Sequence, residues 1–188
     1  MPHELPEPWR SFLMDLDSLV DHEVQLHCCG GFVVTTLHGL PRATADIDII
    51  SVVPHDAMRA LAAGARQNSE LHMKHGVYLD VVTVASYPDE YETRLIPMDV
   101  GRLSHLRLFA LEAHDLALTK LARNSDRDRA DVEFLATAAP LESSTLRDRY
   151  TREMRPYLAR PEREDLTLEL WLEIITEAQN RAGNKTSG

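Results

Sequence analysis

The chain has 188 residues, of which 44% are hydrophobic, and it carries a formal net charge of −10 at pH 7. This length fits one domain, or one domain with a helical appendage, and the hydrophobic share is sufficient for a core. The acidic balance argues against a protein whose whole surface binds nucleic acid. It leaves room for a local cationic pocket that binds a phosphate group, and for a basic protein partner.

Neither a membrane span nor an export signal is expected. The sequence contains no run of about 18 apolar residues. Its first residues, MPHELPE, lack the basic start and the apolar stretch of a signal peptide, so a cytoplasmic protein is expected. Cys28 and Cys29 are neighbours without zinc-ligand spacing, and we expect them to be buried thiols.

The first elements predicted are a helix, a strand and a second helix. Apolar residues at helical spacing predict a helix over 9–20, and a short apolar run predicts a strand at Val24–Cys29. Gly30-Gly31 ends this strand. The apolar stretch 32–37 then favours a helix packed on a sheet.

The alternation of strands and helices continues to about residue 110. A β-branched run predicts a strand over 47–53, which Pro54 stops, and residues 55–66 have a helical pattern. Further strands are expected at 77–84, 93–98 and 105–110.

The second half of the chain is predicted to be helical. Proline residues mark the breaks between its segments. The helices are expected at 113–123, 125–138, 143–157 and 161–182.

The change of pattern near Leu111 predicts two parts and one fold class. We expect an α/β (α+β) fold, with a small mixed sheet flanked by helices and a C-terminal helical extension. Residues 1–111 would form the core with its N-terminal helix, and 112–182 a helical region docked on it. Residues 183–188 are expected to form a flexible tail.

Two aspartates stand two residues apart at the start of the predicted strand 47–53. Because side chains alternate along a strand, Asp46 and Asp48 point to one face and Ile47 to the other. Neighbouring carboxylates repel each other unless a cation lies between them. Magnesium takes one or two carboxylates and completes its shell with water and substrate phosphates. The pair therefore predicts a Mg²⁺ or Mn²⁺ site.

A third aspartate interrupts the otherwise apolar strand 77–84. An ionised carboxylate in such a strand is costly unless it is paired or bound to a metal, and Asp80 is the residue concerned. If this strand lies beside that of Asp46 and Asp48, the three carboxylates form the cluster that a two-metal site needs.

A glycine pair precedes these aspartates at a junction between strand and helix. Gly30-Gly31 lets the backbone approach a ligand closely, and a helix N-terminus favours an anion. A triphosphate held there would lie near the carboxylates. Arg42 and Thr44 stand just before Asp46, where they contact the phosphates or shape the loop.

This order of residues resembles the signature of the nucleotidyltransferase fold of the polymerase-beta superfamily. Gly30-Gly31 and the stretch HGLPRATADID at 38–48 carry the resemblance. More specifically, the sequence resembles the AbiEii-like bacterial families, many of which are toxins of toxin–antitoxin or abortive-infection systems. The stretches HDLALTKLAR at 114–123 and RDRAD at 127–131 are similar to a helix of those families whose lysine reaches the triphosphate.

The resemblance implies a role for each matching residue. It implies Asp46 and Asp48 as metal ligands and Asp80 as the third carboxylate. It also implies Lys120 as a phosphate contact and Asp131 as a supporting carboxylate. Arg123 lies one helical turn beyond Lys120 and is a further candidate for the phosphates. Many relatives have Gly-Ser in place of Gly30-Gly31, so only backbone groups would contact phosphate here.

We therefore predict a metal-dependent nucleotidyltransferase. It would bind a nucleoside triphosphate such as ATP with Mg²⁺ or Mn²⁺, transfer the nucleoside monophosphate to an acceptor hydroxyl and release pyrophosphate. The acceptor stays open among RNA or a tRNA end, a protein and a small molecule such as a cationic aminoglycoside. The toxin role and an antitoxin partner rest on the resemblance alone. Two alternatives stay open: a catalytically silent nucleotide-binding or protein-interaction module with the same fold, and a metal-dependent hydrolase.

Overall fold

The computed structural model describes residues 5–82 and 86–186. The chain divides into two compact units. The first, here called the sheet unit, contains the described residues of 1–37, 41–84 and 95–111. The second, the helical unit, contains those of 38–40, 85–94 and 112–188.

The sheet unit is built on a five-stranded mixed sheet. Its strands are β1 (Val24–Cys29), β2 (Asp46–Val53), β3 (Tyr78–Val81), β4 (Ile96–Pro97) and β5 (Leu106–Ala110). Their order across the sheet is β3-β2-β1-β5-β4. β1 is antiparallel to β2 and parallel to β5, β2 is parallel to β3, and β4 is antiparallel to β5. The predicted fold class, a mixed sheet with flanking and C-terminal helices, is therefore confirmed.

Strand β2 changes its buried face halfway along. Ile47 and Ile49 are fully buried, and Ile50, directly after them, is buried as well. The pairing register with β1 skips one residue at Ile50, which is a β-bulge. The bulge lies beyond Asp46 and Asp48, so both aspartates stay on the face opposite to Ile47 and Ile49.

Four helices belong mainly to the sheet unit. They are α1 (Trp9–Asp17), α2 (Gly30–His38), α3 (Ala57–Ala65) and α4 (Glu70–His75). The helical spacing of Phe12, Leu13 and Leu16 gives α1 an apolar face, and all three side chains are fully buried. Gly76 ends α4 in the left-handed conformation that favours glycine. Helix α4 was not predicted from the sequence.

Asp17, at the end of α1, fixes that helix to the start of β5. Its carboxylate accepts hydrogen bonds from the backbone N–H groups of Ser104, His105 and Leu106, at 2.7, 2.8 and 2.7 Å. Burial alone would raise the pKa of Asp17, but these three bonds outweigh it and lower the pKa. The carboxylate therefore binds three successive backbone N–H groups at the start of β5 and just before it.

The helical unit contains four further helices. They are α5 (Ala113–Leu118), α6 (Asp126–Ala138), α7 (Ser143–Arg149) and α8 (Glu162–Thr186), with a π-helical turn at Tyr150–Met154 and a 3-10 turn at Arg155–Tyr157 before α8. Helix α6 begins with a capping box, in which Ser125 and Asp128 bond reciprocally to each other's backbone. Among the described residues, no helix is long and apolar enough to span a membrane.

Several predicted boundaries differ from the structure. The strand expected at 93–98 is wrong in its first part, since Tyr91–Arg94 forms a 3-10 turn. Ile96–Pro97 pairs with β5, and the N–H of Met98 donates to the carbonyl of Leu108 at 2.9 Å. Pro97 has no N–H to donate, which limits pairing at this edge. The helix expected at 113–123 ends as α5 at Leu118. The strand expected at 77–84 is observed at Tyr78–Val81, and residues 83 and 84 lie outside the described part of the chain.

Candidate functional site

The predicted carboxylates lie on neighbouring strands of the sheet unit. Asp46 and Asp48 share one face of β2 and are both half-buried, while Ile47 between them is fully buried. Strand β3 runs parallel to β2, with Asp80 as the Cα partner of Asp48. The condition set by the sequence, that the two strands be adjacent, is met. Asp80 itself is exposed.

Gly30 is required at its position because of Asp48. The residue has a φ of +70°, a conformation that side chains rarely adopt. A Cβ built on Gly30 would lie 1.6 Å from Oδ2 of Asp48. Cys29, just before it, is the Cα partner of Asp48 in the β1–β2 ladder. The glycine turn therefore lets the start of α2 pass directly over the Asp48 carboxylate.

Gly31 lies in a less crowded place. A Cβ built there would be 3.5 Å from Nη2 of Arg42 and 3.6 Å from Oγ1 of Thr44, which are ordinary van der Waals distances. The side chains of Arg42 and Thr44 therefore lie beside Gly31. A Cβ at position 31 would fit here without displacing a neighbour.

Thr44 positions the first aspartate. Its hydroxyl donates a hydrogen bond to the carboxylate of Asp46, and Thr44 is 9% exposed. The loop before it is held by Thr35, whose hydroxyl donates to the carbonyl of Arg42 at 3.1 Å. These contacts show how Thr44 shapes the site. A contact of Thr44 or Arg42 with phosphate stays a prediction.

Tyr78 is a site residue that sequence reasoning missed. It is the Cα partner of Asp46 and lies two residues before Asp80 on the same strand. Burial, followed by the charges of Asp46, Asp80 and Asp48, raises the pKa of Tyr78, so the phenol keeps its proton at neutral pH. The signal in the sequence was its period-2 spacing from Asp80, which places both side chains on one face.

The residues at this edge match the ligand chemistry of a divalent cation only in part. Carboxylate oxygens suit Mg²⁺ and Mn²⁺, and Mg²⁺ is usually bound by one or two protein carboxylates with water and substrate phosphates completing its shell. Asp46 and Asp48 provide such a pair. Within residues 5–82 and 86–186, no three His, Cys, Asp or Glu side chains converge on one metal position. The three-carboxylate cluster with Asp80 stays a prediction.

The remaining predicted residues belong to the helical unit. Lys120 is 2% exposed, and its Nζ lies 2.8 Å from Asp131 and 3.6 Å from Asp128. Asp131 is 1% exposed, and its bond to Lys120 fits the supporting role expected of it. The contact predicted between Lys120 and a triphosphate is not tested by this ion pair.

Arg123 is bound to the same cluster. Its Nε donates to Asp128 at 2.8 Å, although the arginine side chain is two-thirds exposed. Burial alone would raise the pKa of Asp128, but hydrogen bonds from Arg123 and Ser125 and the charge of Lys120 lower it well below its ordinary value. The predicted phosphate contact of Arg123 stays a prediction.

A second ion-pair network in the helical unit was not foreseen. Asp115 is fully buried and accepts hydrogen bonds from Arg94 and Arg149, both at 2.8 Å. Arg94 also donates to Glu153 at 2.7 Å. Nothing in the sequence indicated that Arg94, far from Asp115 along the chain, would be its partner.

Glu112 and His114 extend this network. Burial alone would raise the pKa of Glu112, but hydrogen bonds from His114 and Arg149 lower it to about 2. Nε2 of His114 accepts the backbone N–H of Glu142 at 2.8 Å, and Nδ1 lies 2.6 Å from Glu112. Both ring nitrogens are therefore occupied within the fold, which is a structural role.

The sheet brings the aspartate-bearing strands β2 and β3 together, and the glycine turn lies over Asp48. The family described as "Nucleotidyltransferase of unknown function (DUF6036)" matches residues 13–179, and the chain belongs to that family. No curated protein and no solved structure matches the chain. The family places the chain among the nucleotidyltransferases, and the family's description names no substrate.

Proposed function

We propose that this protein transfers a nucleoside monophosphate from a nucleoside triphosphate to an acceptor hydroxyl, with Asp46, Asp48 and Asp80 as the carboxylates of the site. The observation that carries the proposal is the register of β2 and β3, which makes Asp48 and Asp80 Cα partners beside the glycine turn. Membership of a nucleotidyltransferase family supports the same reaction class.

The start of α2 is the proposed binding place for the triphosphate. The N-terminal N–H groups of a helix attract anions, and Gly30 and Gly31 carry no side chains to keep a phosphate away. Arg42 and Thr44 lie beside Gly31 and complete this side of the site. We further propose that Lys120 and Arg123 contact the phosphates, with Asp131 orienting Lys120.

The carboxylates have separate tasks in this proposal. Asp46, held by Thr44, and Asp48, held under Gly30, are the ligands of Mg²⁺ or Mn²⁺. When bound, these ions neutralise the phosphate charge that develops during transfer and polarise the attacking oxygen. Asp80 is exposed, and it accepts the proton of the acceptor hydroxyl.

The atoms of the reaction balance without any further reactant. The acceptor oxygen forms a bond to the α-phosphorus, and the bond from that phosphorus to the bridging oxygen breaks. Pyrophosphate leaves with the bonding electrons, and the acceptor proton goes to the Asp80 carboxylate. The acceptor classes are RNA, including a tRNA end, a protein or a small molecule. A toxin role with an antitoxin partner follows the AbiEii-like resemblance.

One observation favours the rival function, a catalytically silent module that binds nucleotides. Among the described residues no three potential ligands converge on one metal position, whereas a two-metal site uses at least that number. A silent module would bind the triphosphate at the glycine turn without turnover. Activity decides between the two functions.

The test is transfer of label from each of the four α-labelled nucleoside triphosphates, with Mg²⁺ or Mn²⁺, to total cell RNA and protein. Asp48→Asn is the matched variant, since it keeps the size of the side chain below Gly30. The proposal expects label in one acceptor class with the wild type, and a loss on the order of 10³-fold with the variant. Triphosphate binding by calorimetry with no transfer to any acceptor, including a panel of hydroxyl-bearing small molecules, would favour the silent module.

A further inference from the structure

A cavity of about 480 Å³ lies between helix α3 and strand β3, on the side of Asp80. One wall is formed by Tyr78, Leu79, Asp80 and Val81 of β3, an edge strand of the sheet. The volume falls in the range of about 300–1,000 Å³ that is typical of small-ligand sites. Asp80, which is proposed to receive the acceptor proton, is one of the residues that line this cavity.

The opposite wall presents two arginines, Arg59 on α3 and Arg66 directly after its last residue. Arg59, Ala62, Ala63 and Arg66 line the cavity, at the i, i+3, i+4 and i+7 spacing of one face of a helix. Ala62 and Ala63 are small, which leaves space between the two guanidinium groups and β3. The part of the cavity wall between the two arginines is therefore formed by small side chains.

Neither arginine is neutralised by the fold. Arg59 and Arg66 are exposed and form no ion pair or hydrogen bond through their side chains with a described residue. Elsewhere in this acidic chain, Arg94, Arg123 and Arg149 each bind a carboxylate. Two unpaired guanidinium groups in one cavity are suited to a phosphate, which they bind through several N–H donors.

We infer that this cavity binds a phosphate group of the acceptor, and that the acceptor is therefore a phosphate-bearing molecule and not a cationic one. The inference rests on the proposed function, because it assigns the acceptor of that same site. Arg59 and Arg66 hold the phosphate, Asp80 faces the neighbouring hydroxyl, and Tyr78 provides an aromatic wall for the ring attached to it. A cationic aminoglycoside would meet two arginines here.

Phosphate beside a free hydroxyl occurs both at the 3′ end of a nucleic-acid strand and in a small phosphorylated metabolite. The probes are a fluorescent single-stranded RNA of twelve nucleotides and, as its competitor, a nucleoside monophosphate. The variant is Arg59→Gln/Arg66→Gln. The control is Arg160→Gln/Arg163→Gln, which removes two exposed arginines of the helical unit and the same amount of charge.

We expect the first variant to bind the RNA at least tenfold more weakly than the wild type, and the control variant to bind it within about twofold of the wild type. Loss of the contacts to one phosphate should also flatten the plot of log K against log salt concentration by about 0.7. If the monophosphate competes with the RNA at an affinity similar to that of the RNA, the acceptor is a small phosphorylated metabolite. If only the strand binds well, the acceptor is the strand end.

Equal RNA affinity of wild type and Arg59→Gln/Arg66→Gln would overturn the inference, as would label transfer to an aminoglycoside that this variant leaves unchanged. Calorimetry of ATP binding with Mg²⁺ separates this outcome from failure of the proposed function. Wild type and both variants should bind ATP equally. If the wild type binds no triphosphate, the proposed function is contradicted. The RNA-binding comparison still tests whether Arg59 and Arg66 bind phosphate.

Discussion

The buried carboxylates of the helical unit and the aspartates at the β2–β3 edge of the sheet unit have different partners. In the helical unit, Asp115, Asp128 and Glu153 are buried and each is bound by an arginine. In the sheet unit, Asp46 accepts a hydrogen bond from Thr44, and neither Asp46 nor Asp80 forms an ion pair with a described residue. Carboxylates that are neutralised inside the fold hold it together. The proposed function uses the carboxylates at the β2–β3 edge to bind a cation and to accept a proton.

The largest effect on stability is expected at Asp115. Replacing it with alanine removes the fully buried carboxylate that both arginines share, and leaves Arg94 with Glu153 and Arg149 with Glu112. Removal of one member of such a pair costs about 3–5 kcal/mol, so the free energy of unfolding in urea should fall by that amount. Glu90→Gln is the control, because Glu90 is mostly exposed and 4.0 Å from Arg94. A loss below about 1 kcal/mol for Asp115→Ala would show that the network is not structural.

The next prediction concerns the glycine pair of the sheet unit. Gly30→Ala combines a positive φ with a collision against Asp48, and it should destabilise the protein by at least about 2 kcal/mol. Gly31→Ala meets only ordinary contacts, and it should change the free energy of unfolding by less than about 1 kcal/mol. Urea denaturation of both variants measures the difference. Similar losses for the two variants would contradict the close approach of Gly30 to Asp48.

Glu112 should make stability depend on acid pH. Its pKa is lowered from 4.5 to about 2 in the folded protein, so its stabilisation is complete above pH 4.5 and is lost as the pH falls towards 2. Glu112→Gln lacks this contribution. The difference in the free energy of unfolding between wild type and Glu112→Gln should narrow by about 2 kcal/mol from pH 6 to pH 3. Urea denaturation at both pH values measures it. A gap that is constant over this range would rule out the shift.

The smallest effect is expected for an exposed pair of the helical unit. Arg147 and Glu169 form an ion pair, but both side chains are about half exposed. Exposed pairs contribute about 0–1 kcal/mol, so Glu169→Gln should change the free energy of unfolding by less than that. A larger loss in thermal or urea unfolding would mean that burial does not distinguish structural carboxylates from others in this unit.

The sequence predicted the β2 region well, because a β-branched run and a period of two define a strand without reference to the rest of the chain. The alternation that exposed Asp46 and Asp48 on one face is confirmed, and so is the neighbourhood of the two aspartate-bearing strands. The close contact of Gly30 with Asp48 was beyond prediction, since it depends on the β1–β2 register and on the angle at which α2 leaves the sheet.

Other features depend on contacts between distant segments, and the sequence could not indicate them. The pairing of Arg94 with Asp115 and Glu153 joins three segments of the helical unit. The cavity beside Asp80 requires α3 and β3 to lie together, although the spacing of Arg59 and Arg66 was visible as a helical period. Helix α4 was missed because its six residues are too few for a clear periodic signal.

The central claim is that the edge formed by β2 and β3 carries the reaction, and Asp80→Asn tests it most directly. Nucleotidyl transfer and the free energy of unfolding should be measured on the same preparations, with Asp56→Asn as the control, since Asp56 is exposed at the start of α3 and its side chain caps no backbone group. We expect Asp80→Asn to slow transfer by about 10²–10⁴-fold and to change stability by less than about 1 kcal/mol. Transfer within threefold of the wild type would contradict the claim.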